Sequence, residues 1–309
     1  MTNYYRIMLG KKSIHAQQCI AEGFIGLHYG IQQDLTGKLP DSWRSFNREF
    51  IPIYLSTHPD KTKVAAGLAC GALWTVSKGI EKGDIVLSPD GEGSYHIGEV
   101  VGDYYYAEGL ELPHRRAVQW MPRTLARNDM SPSLQSSIGS SGTLSNISGH
   151  RAEIERLISG NAAPLLAVSE PTVEDPIAFA MEKHLEDFLV HNWAHSDLGK
   201  IYDVYQVDNE LVGQQVQTDD RGYIDILALS KDRKTLLVLE LKKGRASDVV
   251  IGQILRYMGY VQEVLAEEGQ QVRGVIIALE DDLRIRRALK LVPTVEFYRY
   301  QVSFKLIKT

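Results

Sequence analysis

The stretch "YIDILALSKDRKTLLVLELKKG", residues 223 to 244, holds three side chains able to do chemistry together: Asp225, Glu240 and Lys242. Two apolar runs flank a charged turn, the pattern of two strands joined by a short connection. Strand side chains alternate, so Asp225 shares a face with Tyr223 and Leu227, while Glu240 and Lys242 project together with Leu239 and Leu241 opposite. The three polar groups are therefore expected to meet at one edge of a sheet. Setting two carboxylates side by side is costly, because like charges resist joint ionisation and burial penalises each. A hard divalent cation removes that cost. Mg2+ takes one or two carboxylates, a carbonyl and several waters, and a water so held beside a lysine suits phosphodiester hydrolysis. The same residues could instead lie at solvated strand ends, with Lys242 and Lys243 opening a polar loop, because an acid-x-lysine pair also arises by chance.

The elements around them have to position these groups. "DPIAFAMEKHLEDFLVHNW" puts Ile177, Met181, Leu185, Phe188 and Leu189 on one stripe, with Asp175 as N-cap and Pro176 in the first turn, which predicts a helix. Next come strands "IYDVYQV", "YIDILAL" and "TLLVLELKK", a long helix "SDVVIGQILRYMGYVQEVLAEEG", a strand "VRGVIIAL", a helix "DDLRIRRALKLV" and closing strands "VEFYRY" and "VSFKLI". That order predicts a mixed α/β domain of ordinary size.

The arrangement resembles the PD-(D/E)XK nuclease superfamily: an acid in one strand, "ELK" (Glu240, Leu241, Lys242) in the next, and "QILRY" in the following helix. The spacing of Gln253 and Tyr257, one turn apart on one helix face, is similar to the Q-x-x-x-Y element of the Mrr and NucS-type branches. Glu182 matches the acid those branches carry in their first helix. The similarity is nearest to the C-terminal domain of NucS-type endonucleases and covers residues 176 to 309. Ile224 stands where the superfamily's nominal proline would precede Asp225. The resemblance implies a restriction-endonuclease-like fold, with Asp225, Glu240 and Glu182 as ligands of Mg2+ or Mn2+ and Lys242 as positioner of the attacking water. It implies Gln253 and Tyr257 as residues lining the site. Lys243, Arg245 and Arg256 are candidates for DNA phosphates, and Arg284, Arg286 and Arg287 are weaker ones beside Asp281 and Asp282.

In the first half, short apolar or aromatic segments alternate with glycine and charged turns: "GFIGLHYGI", "IPIYLST", "GDIVLSPDG", "SYHIGEVVGDYYY" and "AVQWM". They predict a small, strongly curved sheet. A Trp ahead of "GDIV", then "IGEVVGDYYY" and "HRRAVQW", resembles the PUA-like group that includes EVE and YTH domains. That resemblance implies a small β-barrel-like α+β domain holding a modified base in a pocket of aromatic side chains. Candidates are Trp74, Phe24, His28, Tyr29, Trp43, Tyr104 and Trp120, although an aromatic in a small sheet is more often core than cage. His114, Arg115 and Arg116 offer positive charge for DNA phosphates.

A boundary is expected in "NAAPLLAVSEPTVEDP", which gives a first domain over 1–160, a linker over 161–174 and a nuclease-like domain over 175–309. Across 309 residues the net charge is −5, so nucleic-acid contact has to come from local basic patches. Cys19 and Cys70 form neither a metal motif nor a disulfide framework, which predicts reduced thiols. The absence of a long apolar run predicts a cytoplasmic chain without membrane contact. "GEGSYH" and "GSSGTLS" lack the spacing of a dinucleotide loop or a P-loop, and no zinc pattern occurs. The expected activity is a modification-dependent DNA endonuclease, acting as a homodimer for double-strand cuts. A NucS-like repair endonuclease for mismatched or branched DNA, and a catalytically silent DNA-binding protein, are the alternatives.

Overall fold

The computed structural model describes residues 2–139, 142–160, 185–208, 210–218, 222–281 and 283–301. The chain divides into two compact units, Met1–Leu166 and Ala167–Thr309. The expected linker 161–174, Glu182 with the start of its helix, Asp282 and the strand "VSFKLI" lie outside the described residues.

The first unit carries β1 (Tyr4–Ile7), α1 (Ala16–Glu22), β2 (Phe24–Leu27), α2 (Trp43–Thr57), α3 (Lys63–Trp74), β3 (Ile85–Pro89), β4 (Ser94–Tyr106), β5 (His114–Ala126), α4 (Pro132–Ile138), β6 (Leu144–Asn146) and α5 (Arg151–Ser159). Its strands form one six-stranded sheet in the order β2-β5-β4-β3-β1-β6, with β1 and β3 parallel. Tyr4, Ile85, Leu87, Tyr95, Ile97 and Leu125 bury one face against Leu134 and Ile138 of α4 and Ile154 of α5. Helix α5 stops at Gly160, whose φ of +73° is a left-handed turn that glycine adopts without steric cost.

The segment "IPIYLST", expected as a strand, lies instead in α2. Trp43, Phe46, Asn47, Phe50, Ile51 and Tyr54 are buried at helical spacing, and the Ser42 hydroxyl caps the helix by accepting from the Ser45 amide. The short window 51–57 does not expose that period, and Pro52 argues against a helix although the fold accommodates it.

The second unit begins, within the described residues, with a helix at 185–191 (α6). It continues through β7 (Tyr202–Val204), β8 (Gln206–Val207), β9 (Glu210–Leu211), β10 (Gln214–Gln217), β11 (Tyr223–Ser230), β12 (Thr235–Arg245), α7 (Val249–Tyr260), β13 (Gln271–Glu280), α8 (Leu283–Leu289) and β14 (Val295–Arg299). The sheet runs β10-β11-β12-β13-β14, with β7 also pairing β11. The connection from β10 to β12 is antiparallel, while β12, β13 and β14 are parallel, linked by α7 and α8 as crossovers.

Alternation divides this sheet's faces. Ile226, Ala228, Leu237, Leu239, Leu241, Val275 and Ile277 pack under Trp193, Leu198 and the apolar side of α6. The opposite face takes α7. A Cβ on Gly274 of β13 would stand 2.7 Å from Met258 Sδ and 3.0 Å from Ile254 Cδ1, so glycine lets the helix settle this close. Each buried Leu or Ile contributes about 1.5–3 kcal/mol of transfer free energy. This fixes the register tightly, because a one-residue slip would expose every such side chain.

Candidate active site

Register brings the acids together. Ile226 pairs with Leu239 at the end of the β11–β12 ladder, and Asp225 and Glu240 are the next residues beyond that pair on their strands. The Leu241 amide donates to Asp225 Oδ2 at 2.7 Å. Lys242 Nζ lies 3.0 Å from Glu240 Oε1, with its side chain 24% exposed. Glu240 itself is 1% exposed. The three groups therefore meet on the middle strands of the sheet, where β11 starts and β12 nears its end. Just beyond, the β12–β13 register shifts between Lys242 and Arg245, a bulge that turns the strand away from the ladder.

Burial is the main reason that the Asp225 carboxyl titrates well above the usual carboxylate range. The negative charges of Glu240 and then Glu186 raise it further, against the opposing Leu241 amide and Lys242 ammonium. Glu186 is the acid that α6 delivers to this site, and it is 2% exposed. The expected acid, Glu182, precedes it by four residues in the sequence and lies outside the described residues. Both glutamates fit an acid in the first helix. Leu185 and Leu189 pack on the sheet, which brings Glu186 in beside them.

Gln215 was not foreseen. Its Nε2 donates to Glu186 Oε2 at 2.5 Å and to Asp225 Oδ1 at 3.1 Å. The polar run around it gave no sign of this, and a φ of +53° takes Gln215 out of regular strand geometry. On α7, Gln253 Nε2 donates to the Tyr257 hydroxyl at 3.2 Å, and that hydroxyl accepts from the Tyr223 amide at 3.3 Å. The pair thus ties the helix to the start of β11, two residues from Asp225.

Glu186, Asp225 and Glu240 offer only carboxylate oxygens, the donor set of a hard divalent cation. Among the described residues, no group of three or more His, Cys, Asp or Glu side chains is set to hold an ion by itself. A cation here would complete its sphere with water, as Mg2+ ordinarily does. The residues fit such an ion electrostatically, since the negative charge crowded around Asp225 is what a bound cation would offset.

Of the candidate phosphate contacts, Arg245 and Arg256 are exposed and Lys243 is half-buried. Arg286 pairs with Asp281, its Nη2 donating at 2.8 Å. Arg115 and Arg116 require correction: they are buried, at 5% and 4% exposure. Arg115 Nε donates to the Leu112 carbonyl at 2.7 Å, and its guanidinium lies 3.7 Å over the Phe24 ring. Arg116 donates to the carbonyls of Gly102 at 3.0 Å and Ile80 at 2.7 Å. Both are internal braces and neither offers a phosphate contact.

The aromatic candidates are divided among several places. Phe24 and Trp43 are core residues. Trp43 stacks on half-buried Trp74 at 6.3 Å, and Trp74 Nε1 donates to the Pro40 carbonyl at 3.1 Å. Fully buried His114 donates through Nε2 to the Ile31 carbonyl at 2.7 Å, which leaves Nδ1 to accept from the Tyr104 hydroxyl at 2.9 Å. Burial lowers the His114 pKa, in keeping with a neutral ring. Trp120 Nε1 donates to the Cys19 carbonyl at 3.1 Å. Tyr29, at φ +50°, meets Tyr54 edge-on at 6.5 Å, and His28 is exposed. Cys19 and Cys70 are free and buried, each pushed up to about 12 by burial. No helix among the described residues is long and apolar enough to cross a membrane.

A family model described as a domain of unknown function (DUF8426) matches residues 5–147. No curated protein matches the chain. Among solved structures, a repair endonuclease from Pyrococcus abyssi is similar at 15% identity and a TM-score of 0.32, over 70% of this chain and 65% of that one. An EndoMS-dsDNA2 complex is similar at 13% identity and a TM-score of 0.31, over 72% of this chain and 66% of that one. EndoMS in apo form is similar at 15% identity and a TM-score of 0.28, over 72% and 79%. The chain thus spans just under two thirds of the length of the first two. What this chain does has to be read from its own residues.

Proposed function

We propose that this protein is a divalent-metal-dependent endonuclease that hydrolyses phosphodiester bonds in DNA, with its active site in the second unit. The observation that carries this reading is the convergence of Asp225, Glu240 and Lys242 on the sheet face under α7, with Glu186 brought in from α6. Asp225 and Glu240 would hold Mg2+ or Mn2+, with Glu186 as an accessory acid. When bound, such an ion lowers the pKa of its water and offsets charge on the scissile phosphate.

The chain's own residues supply the rest. The Leu241 amide fixes one Asp225 oxygen, so this carboxylate keeps one orientation. Lys242 is anchored near Glu240 yet partly open to solvent, a placement suited to orienting the attacking water or donating to a phosphate oxygen. Gln253 and Tyr257 hold the start of β11 and line the site. Lys243, Arg245 and Arg256 would neutralise neighbouring phosphates, and two copies would be needed to cut both strands of a duplex. The first unit would select the DNA. Its resemblance to PUA-like readers supports a modified base as the signal, and among the aromatic candidates His28, Tyr29, Trp74, Tyr104 and Trp120 keep some exposure.

The test is digestion of duplexes carrying a modified base, no modification or a mismatch, with Mg2+, Mn2+ or EDTA. Cleavage should require the metal and should disappear in Lys242→Ala. A preference for modified duplexes supports the reader, and a preference for mismatches supports a repair role. Wild type as inert as Lys242→Ala on every substrate and metal would overturn the proposal and leave a DNA-binding protein.

A further inference from the structure

We infer that Gln215 is a positioning residue of this site: its side-chain amide ties Glu186 to Asp225 and so makes the glutamate of α6 part of the cation-binding set. The inference rests on the nuclease reading above. Gln214 pairs with Ile226 and Val216 with Ile224, which sets Gln215 directly opposite Asp225 on the neighbouring strand.

Its Nε2 reaches both acids, at 2.5 Å for Glu186 and 3.1 Å for Asp225. A primary amide nitrogen has two N–H groups, one for each carboxylate. The reverse orientation would aim a carbonyl oxygen at two carboxylates, so charge decides which end of the amide faces them. The bridge draws together two acids from different elements, α6 and β11, against their mutual repulsion. Being neutral, it brings no positive charge of its own and leaves theirs for a cation. With the Leu241 amide on the other oxygen, both ends of the Asp225 carboxylate are aimed by the protein, the way outer partners orient metal ligands.

The backbone gives a second, independent observation. Gln215 sits at φ +53°, a conformation that glycine and asparagine adopt more readily than glutamine. Strain of this kind persists where a side chain is needed in one place. Asparagine would ease the backbone and keep an amide, yet its side chain is one methylene shorter and falls short of the acids. A role confined to folding therefore predicts that Gln215→Asn is neutral or stabilising in every assay.

The experiment is calorimetric Mn2+ titration of the full chain alongside steady-state DNA cleavage, for wild type, Gln215→Asn, Glu186→Gln and the double variant. Thermal melts in EDTA check the fold. Gln215→Asn should melt at or above wild type, while its Mn2+ affinity falls about 10- to 100-fold. Its kcat should fall with the KM for DNA unmoved. Glu186→Gln should show a similar loss, and the double variant should be little worse than either, because the two act as one unit. If wild type binds Mn2+ and cuts DNA and Gln215→Asn matches it, or if the two losses simply add, the inference is overturned and the nuclease reading stands. If wild type takes up no Mn2+ and cuts nothing, the nuclease reading fails and this inference with it.

Discussion

Buried charge is handled in opposite ways in the two units. In the first, Arg115 and Arg116 are closed off by backbone carbonyls of Leu112, Gly102 and Ile80. A guanidinium shares its donors among carbonyls that themselves need partners, so cation and backbone satisfy each other. In the second unit, buried acids gather beside one another, and burial and mutual repulsion push Asp225 up. The first arrangement is complete as a piece of structure. The second is costly as structure, a cost that a bound cation would offset, which is why the arginines read as braces and the acids as a candidate site.

The largest effect that can break this contrast is catalytic. Glu240→Gln should leave the chain folded and reduce cleavage by about 10^2- to 10^3-fold, the usual loss for one electrostatic group in an active site. Single-turnover cleavage with saturating Mn2+ reads this directly. A variant cutting like wild type would remove Glu240 from the chemistry.

Arg116→Ala comes next. It strands the buried carbonyl of Ile80 and the part-buried one of Gly102, and leaving such groups without donors should cost about 3 kcal/mol in urea unfolding of the first unit. If Arg116 touched DNA, the variant would instead fold normally and lose DNA affinity with a shallower salt dependence.

A smaller effect is a pH dependence that only the acid cluster should show. The folded-state pKa of Asp225 is raised, so the folded protein holds a proton that the unfolded chain gives up. Stability in EDTA should be full below the ordinary aspartate range and should decline as pH rises through the raised value. Mn2+ should flatten the decline, and Asp225→Asn should abolish it. Melting curves across pH, with and without Mn2+, would show it as a shift of a few degrees.

Smallest is Tyr257→Phe, which removes the acceptor of the Tyr223 amide. About 1 kcal/mol of stability should go, with a modest fall in kcat as the start of β11 loosens. Chemical denaturation and steady-state kinetics measure the two. A loss of kcat with unchanged stability would place Tyr257 in the chemistry itself.

The parts of this picture written in the sequence are those fixed by a short period. Alternation in "YIDILAL" and "LVLELKK" puts Asp225, Glu240 and Lys242 on one face, and pairing of the two strands does the rest. Glu186 was harder to read because helical spacing alone does not tell which face meets the sheet, and it is the packing of Leu185 and Leu189 that brings Glu186 in. Gln215 was hidden because its left-handed backbone breaks the alternation that strand reading relies on. Arg115 and Arg116 looked like surface charge because sequence shows a cation and not the carbonyls waiting for it. The helix containing "IPIYLST" was obscured by Pro52 and by a window of less than two helical turns.

The most direct test of the central claim is an anomalous-scattering map at the manganese edge, from crystals of this protein grown with Mn2+. The account predicts a peak between the Asp225 and Glu240 carboxylates, with Glu186 alongside and Lys242 facing the same space. Carboxylates turned apart with no peak between them, in crystals bathed in millimolar metal, would contradict it.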